Sequence, residues 1–353
     1  MPILKEPAEA IAYLLENYES LFSAKGGRIR DDMERLWLEN DQSLLHDGPS
    51  QGQGASGARR NVMVRWQCTI RCNYFCRYCF QKEERRRADH HCFDAHSVGK
   101  WVESFDRHFG AGERNVLLVL SGGEPTLDEE NMPLLLEELC RRRYVRNVRI
   151  DTNASWSPTV FSGIEDKNKI WLNCSFHPDH VGLFEFLHRM DEYRSSGFNI
   201  GMVTFVLTES NRGHFERLRA GLDRDIPVNP NPLVDFAGEY NAATAGVFKQ
   251  RLPPQDHRHK FEKVDPSGTL CLHPALAYQM SPSGTITVGC HEMRKGNFVM
   301  DAGLPALFET YTRCPKTRCD CSDMYSFQKG CSRNLDLNPL YSYKKALLGQ
   351  YRQ

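Results

Sequence analysis

The run Arg71-Cys72-Asn73-Tyr74-Phe75-Cys76-Arg77-Tyr78-Cys79-Phe80 sets three cysteines at C-x3-C-x2-C spacing. Thiolates are soft ligands, and three of them on one short loop can hold three irons of a 4Fe–4S cube. The missing fourth ligand leaves one iron open for a small molecule to coordinate. Zinc is the competing chemistry, but a zinc site needs four ligands at tetrahedral spacing. Cys68 is the nearest candidate for the fourth. C-x3-C-x3-C-x2-C is not a usual zinc pattern, and Cys68 reads instead as a core residue close to the site.

Ten further cysteines complete the thirteen. Six fall late in the chain, at Cys271, Cys290, Cys314, Cys319, Cys321 and Cys331. Cys92, Cys140 and Cys174 are scattered and read as small buried hydrophobes. The N-terminus mixes acids into an amphipathic pattern and lacks the basic start and apolar run of a signal peptide. No apolar stretch approaches the roughly 18–20 residues that span a bilayer. These features predict a cytoplasmic protein, where disulfides are disfavoured and clustered cysteines point to metal or catalysis. Asp89-His90-His91-Cys92 spells the tetrapeptide of membrane palmitoyltransferases. Without transmembrane helices it reads as a loop entering a helix. Basic and acidic residues balance at 45 each, so nucleic acid and anionic membrane are not expected partners.

A loop of ligands needs elements to hold it. Residues 1–46 read as two helices, with Ile11, Leu14, Leu15, Tyr18 and Phe22 at helical spacing. His46 to Arg60 is a Gly/Ser/Gln linker. Six β-branched, apolar stretches then predict strands: Val62–Cys68, Val116–Ser121, Val148–Thr152, Ile170–Phe176, Ile200–Leu207 and Ile226–Val234. Between them lie helical stripes: Val98, Trp101, Val102 and Phe105; Met132, Leu135, Leu136 and Leu139; Leu183, Phe186, Leu187 and Met190. Strand–helix repetition predicts an α/β fold with a parallel sheet, and six units predict a partial (β/α)6 barrel. Its working end is the carboxyl ends of the strands. The expected organisation is a helical N-terminal segment with linker over 1–60, a core over 61–235 and a small Cys-rich C-terminal extension over 236–353.

The cysteine loop directly follows the first predicted strand, and Ser121-Gly122-Gly123-Glu124-Pro125 follows the second. Together they resemble the radical S-adenosylmethionine (SAM) superfamily, whose cysteine signature includes an aromatic residue at the position of Tyr78. The resemblance covers roughly residues 61–235. It implies a SAM-cleaving 4Fe–4S cluster on Cys72, Cys76 and Cys79, with SAM bound by Tyr78, Gly122, Gly123, Glu124 and Pro125. The glycines let backbone approach closely and Glu124 complements the methionine ammonium. Strand three ends Asp151-Thr152-Asn153, resembling the Thr-Asn of many relatives, and Ser175 on strand four is the candidate for the SAM ribose. Alternation then turns Asn173 inward and Cys174 toward the helices. An ordinary strand-end hydrogen bond is the competing reading for Asn153 and Ser175.

Ser281-Pro282-Ser283-Gly284-Thr285 predicts a hairpin, with Cys271 and Cys290 on its two arms. With Cys314, Cys319, Cys321 and Cys331, this resembles the SPASM and twitch extensions that bind auxiliary iron–sulfur clusters. The second half departs from the SPASM spacing. One auxiliary 4Fe–4S cluster using Cys271, Cys290 and two later cysteines is the expectation; a structural zinc site in the same place stays open. His273 and His291 flank these cysteines and could serve either metal.

The implied reaction is reductive cleavage of SAM to a 5′-deoxyadenosyl radical that takes hydrogen from a sugar-like small molecule or a peptide, with oxidative modification as the outcome. A flavodoxin or ferredoxin would supply the electron. The alternatives are a redox-neutral epimerase with a cysteine hydrogen donor, and a non-catalytic iron–sulfur sensor. Asn229 and Asn231 alternate onto one face of strand six and, where that face points inward, offer amides to substrate; a polar exit loop is the competing reading. No residue is assigned an acid–base role.

Overall fold

The computed structural model describes residues 60–79, 81, 91–112, 114–223, 226, 228–233, 241–251, 261, 267–268, 270–271, 273–289, 294–308 and 312–317. The helices expected over 1–46 and the linker lie outside these residues, save Arg60, which opens the first strand. Among the described residues no helix is long and apolar enough to cross a membrane.

Six strands follow in chain order: β1 (Arg60–Thr69), β2 (Arg114–Gly122), β3 (Val145–Thr152), β4 (Ile170–Phe176), β5 (Asn199–Val206) and β6 (Val228–Asn231). Each pairs in parallel with the next. Parallel neighbours need a crossover connection. α1 (Val98–Phe105), α2 (Asn131–Cys140), α3 (Leu183–Ser195) and α4 (Arg212–Gly221) lie in the β1–β2, β2–β3, β4–β5 and β5–β6 links. The β3–β4 link carries two short 3-10 turns instead, Pro158–Phe161 and Lys167–Lys169. Sequential parallel order is that of the expected partial (β/α)6 barrel. The described sheet is open, with β6 at one edge. The helical stripes read from sequence correspond to α1, α2 and α3. α4 buries only Phe215 and Leu218, too few apolar positions to announce a period.

Alternation gives the sheet two different faces. Val64, Trp66 and Cys68 of β1, Leu118 and Leu120 of β2, and Leu172, Cys174 and Phe176 of β4 join Trp101, Phe105, Leu135, Phe186 and Met190 in one apolar core. Each large apolar side chain taken fully from water contributes about 1.5–3 kcal/mol, so this face holds the helices on. The other face carries Gln67, Ser121, Arg149, Asp151, Asn173 and Ser175, polar residues at the same strand ends.

Beyond β6 come α5 (Ala242–Arg251), β7 (Leu270–Cys271), β8 (Ala277–Met280), β9 (Thr285–Val288), β10 (Lys295–Asn297) and β11 (Thr312–Arg313). β8 pairs in parallel with β1 from Met63 to Trp66, and β9 and β10 continue the sheet antiparallel. The extension thereby covers the outer edge of β1, whose backbone groups would otherwise stand unpaired. The predicted hairpin is present, turning through Gly284 at φ +84. Cys271 does not sit on its first arm. The one-turn helix His273–Leu276 intervenes, favoured by Pro274 in its first turn. Cys271 instead belongs to β7, which pairs with β11 in a separate two-stranded ladder.

Candidate functional site

β1 to β4 run parallel, so their carboxyl ends share one edge of the sheet, where ligand sites of α/β folds form. The cysteine loop leaves β1 there. Gly123 N donates to Thr69 O (2.9 Å) and Glu124 N to Arg71 O (2.7 Å), stitching the end of β2 to the root of the loop. A Cβ on Gly122 would stand 1.9 Å from Thr69 O, and one on Gly123 would stand 1.9 Å from Arg71 O. Gly122 also takes φ +138. The close approach these glycines allow is to the cysteine loop itself, a demand the sequence reading had placed on the ligand.

Glu124 is fully buried. Its Oε1 accepts from Thr126 N (3.2 Å), Thr126 Oγ1 (2.6 Å) and Thr152 Oγ1 (2.8 Å), and its Oε2 accepts from Asn153 N (2.5 Å). Burial pushes its carboxyl above the ordinary range, and these four donors pull against it. Pro125 opens the 3-10 turn Pro125–Leu127, which brings the buried Thr126 back to the carboxylate. The carboxylate therefore ties the end of β2 to the end of β3.

From β3 the link runs on to the cysteines. Asn153 Nδ2 donates to Asn73 Oδ1 (2.8 Å) and lies 3.7 Å from Cys72 Sγ. Asn73 Nδ2 donates to Ser155 Oγ (2.8 Å), and Ser155 N to Asn153 Oδ1 (3.0 Å). Ala154, between them, is buried at φ +59, a conformation costing an L-residue about 1–2 kcal/mol. Its carbonyl is held by Arg189 (2.9 Å) and its N–H by Thr152 Oγ1 (3.0 Å). On the opposite flank Arg71 pairs with Asp94 (2.8 Å), and His91 caps the one-turn helix Cys92–Ala95. Of the Asp89–Cys92 tetrapeptide, His91 caps this helix and Cys92 opens it, and Asp89 and His90 lie outside the described residues.

The sulfur surroundings divide the cysteines. Cys72 Sγ accepts from Tyr74 N (3.4 Å) and faces the Asn153 amide, and Cys76 Sγ lies 3.4 Å from His177 Nδ1. N–H groups aimed at sulfur suit anionic thiolate ligands. Cys79 N donates to Cys76 O (3.2 Å), closing the turn that carries both. Cys72 and Cys79 are partly exposed, open to an incoming group. Cys68 behaves oppositely: it is fully buried, its Sγ donates to Ser121 O (3.5 Å), and burial pushes its thiol far up. It is a core thiol. Burial likewise pushes up Cys92 and Cys174, and raises Cys140 to about 12. Among the described residues no three His, Cys, Asp or Glu converge as a single metal ion would need. A cube spreads its ligands over separate irons and does not ask for such convergence.

Tyr78 stacks on His177 with its hydroxyl 2.9 Å from Nδ1, and burial, aided by the Cys76 charge, pushes its ionisation up. On the polar face, Ser175 Oγ meets Thr204 Oγ1 (2.7 Å), Asn173 donates to Asp151 (2.9 Å), and Arg149 pairs with Asp151 (2.7 Å). Asn229 Nδ2 donates to Asn231 Oδ1 (3.1 Å), so the two amides share a face. Cys271 is buried on β7, Cys314 is buried directly after β11, and Gly268 N donates to Cys314 O (2.8 Å). Cys290, Cys319, Cys321, Cys331 and His291 lie outside the described residues.

The sequence reading gave no role to Asn73, Tyr74, Thr126, Ser155, His177 or His180. Only His177 carried a usable signal, its place at the carboxyl end of β4, level with the cysteine loop. The remainder depend on loop conformation.

No protein-family model matches the sequence. No curated protein matches it either. Among solved structures the chain is similar to anSMEcpe with bound AdoMet and the Cp18Cys peptide, at 13% identity over 69% of this chain and 78% of that one, TM-score 0.45. It is similar to BtrN in complex with AdoMet and 2-DOIA, at 15% identity over 68% and 79%, TM-score 0.35. It is also similar to Streptococcus suis SuiB bound to S-adenosylmethionine, at 12% identity over 83% and 74%, TM-score 0.35.

Proposed function

We propose that this protein is a radical SAM enzyme whose SAM-cleaving 4Fe–4S cluster is held by Cys72, Cys76 and Cys79. The observation that carries the reading is the cysteine loop itself. Its root is stitched to Gly123 and Glu124, N–H groups of Tyr74 and Asn153 face the Cys72 sulfur, and a histidine ring nitrogen lies beside the Cys76 sulfur. When bound, the cluster and SAM together supply a 5′-deoxyadenosyl radical. The chain's own residues position and shield: Gly122 and Gly123 seat the loop, Glu124 and Asn153 fix its Cys72 flank, and Pro125 and Tyr78 wall the site. The residues proposed toward SAM are Tyr78, Gly122, Gly123, Glu124, Pro125, Asn153 and Ser175. The closed hydrogen bonding of Glu124 supports an orienting share in that set.

An auxiliary 4Fe–4S cluster on Cys271, Cys290 and two of Cys314, Cys319, Cys321 and Cys331 completes the proposal. The ladder that pairs Cys271 with Thr312, two residues before Cys314, supports it. The substrate is a sugar-like small molecule or a peptide, the outcome oxidative, and the electron donor a flavodoxin or ferredoxin. The polar face bearing Arg149, Asp151, Asn173, Ser175 and Asn229 supports a hydrogen-bonding substrate.

Anaerobic reconstitution followed by iron analysis and assay for 5′-deoxyadenosine tests this. Wild-type protein should carry about eight irons on the two-cluster reading and should cleave SAM. Cys72→Ala, Cys76→Ala and Cys79→Ala together should remove about four and abolish cleavage. Cleavage by the triple variant would sink the reading.

A further inference from the structure

At the end of β4, His177 Nδ1 lies 3.4 Å from Cys76 Sγ and 2.9 Å from Tyr78 Oη. The ring stacks on Tyr78 and stands edge-on to Tyr74, which in turn stacks on His180. A histidine from a different strand is therefore packed into the cysteine loop with one ring nitrogen aimed at one sulfur. We propose that His177 is a positioning residue whose Nδ1–H donates to the Cys76 sulfur once iron is bound there, raising the reduction potential of the cluster. This rests on the reading of Cys72, Cys76 and Cys79 given above.

The chemistry fixes the direction of the bond. An iron-bound Cys76 has no S–H, so its sulfur only accepts. The contact is then attractive only with the hydrogen on Nδ1, and the imidazole takes that tautomer. Tyr78 Oη, 2.9 Å from the same nitrogen, can accept from that N–H as well. A reduced cluster is the more negative one, and a donor on a ligand sulfur stabilises it over the oxidised form. Simple aromatic packing would explain the stacking with Tyr78 but makes no demand on the nitrogen.

The test uses full-length, anaerobically reconstituted protein and a redox titration of the cluster whose EPR signal responds to added SAM. His177→Phe keeps a ring against Tyr74 and Tyr78 but has no donor. His177→Asn returns an amide nitrogen near the place of Nδ1. The Phe variant should hold wild-type iron yet show about a tenfold lower reduced-to-oxidised ratio at fixed potential, ~59 mV for one electron. The Asn variant should recover at least half of that shift. In wild-type protein carrying isotope-labelled histidine, the reduced cluster should show a nitrogen hyperfine coupling absent from the Phe variant. Equal potentials in wild type and Phe variant overturn the proposal, as do equal shifts in the Phe and Asn variants. Should the Phe variant fail to load iron, the hyperfine experiment on wild type decides, and no coupling overturns it. A wild-type protein that binds no iron at the three cysteines brings down the underlying reading as well, and iron analysis tells that failure apart.

Discussion

Cys68 and Cys72 lie within one short stretch of chain, yet they occupy opposite chemical worlds. Cys68 ends the helix-facing row of β1, shut among apolar side chains, its sulfur donating to a carbonyl. Cys72 lies just past the strand, partly exposed, its sulfur receiving N–H groups from Tyr74 and Asn153. What surrounds a thiol decides what it can do, and the surroundings of the cysteine loop come from the ends of β2, β3 and β4. The helix side of the sheet is held by non-directional burial. The strand-end side is held by directed hydrogen bonds, each with one right partner.

That contrast can be broken most severely at the seam. Gly123→Ala puts a methyl 1.9 Å from the Arg71 carbonyl, and the loop must move to admit it. Overpacking of this kind costs about 1–3 kcal/mol or more. Iron retention after reconstitution should fall several-fold while the far-ultraviolet circular dichroism stays that of an α/β protein. Wild-type iron content in this variant would show that the seam does not position the ligands.

Glu124→Gln probes the directed bonds more gently. Whichever way the amide turns, its NH2 meets a donor that the carboxylate had accepted, at a cost of roughly 1–3 kcal/mol. Both iron retention and SAM affinity should decline, because the bond to Asn153 N steadies the Cys72 flank. The pH dependence adds a sign. Burial raises the folded-state pKa of Glu124 above its unfolded value. The folded state therefore holds a proton that the unfolded state has released, and this group's contribution falls as pH rises through that window. Denaturant titrations across pH should show the slope in wild type and its loss in the Gln variant.

The smallest effect belongs to the other side of the comparison. Cys68→Ala removes a buried sulfur without touching the ligand set, and it should cost about 1–2 kcal/mol. Iron content and SAM cleavage should match wild type. A loss of iron here would make Cys68 a ligand and reopen the zinc alternative.

The sequence revealed whatever repeats. β4 was read to its ends because Ile170, Leu172, Cys174 and Phe176 keep an apolar period of two, and α1 to α3 because their stripes keep a strict period. Cys72, Cys76, Cys79 and the Gly-Gly-Glu stood out because their spacing is chemical. Register and loop path have no period. The bonds from Glu124 to Thr126, Thr152 and Asn153 link residues whose closeness is set by how the ends of β2 and β3 align. Cys271 was set on the wrong strand because a single helical turn around Pro274 separates it from the hairpin, and one turn is too short to leave a pattern.

The pairing of β8 with β1 also sets a timetable. β1 is the first described strand made, and its outer partner, Ala277–Met280, emerges roughly 200 residues later. At synthesis speeds of about 5–20 residues per second, that edge waits some 10–40 s on the ribosome. Among the described residues, the Met63–Trp66 stretch of the strand that leads into the cysteine loop thus lacks that partner while the rest of the sheet forms. A nascent chain stalled before Ala277 would present an apolar, hydrogen-bond-hungry margin to its neighbours, and in a cell making this protein quickly that interval is where chaperones would find it.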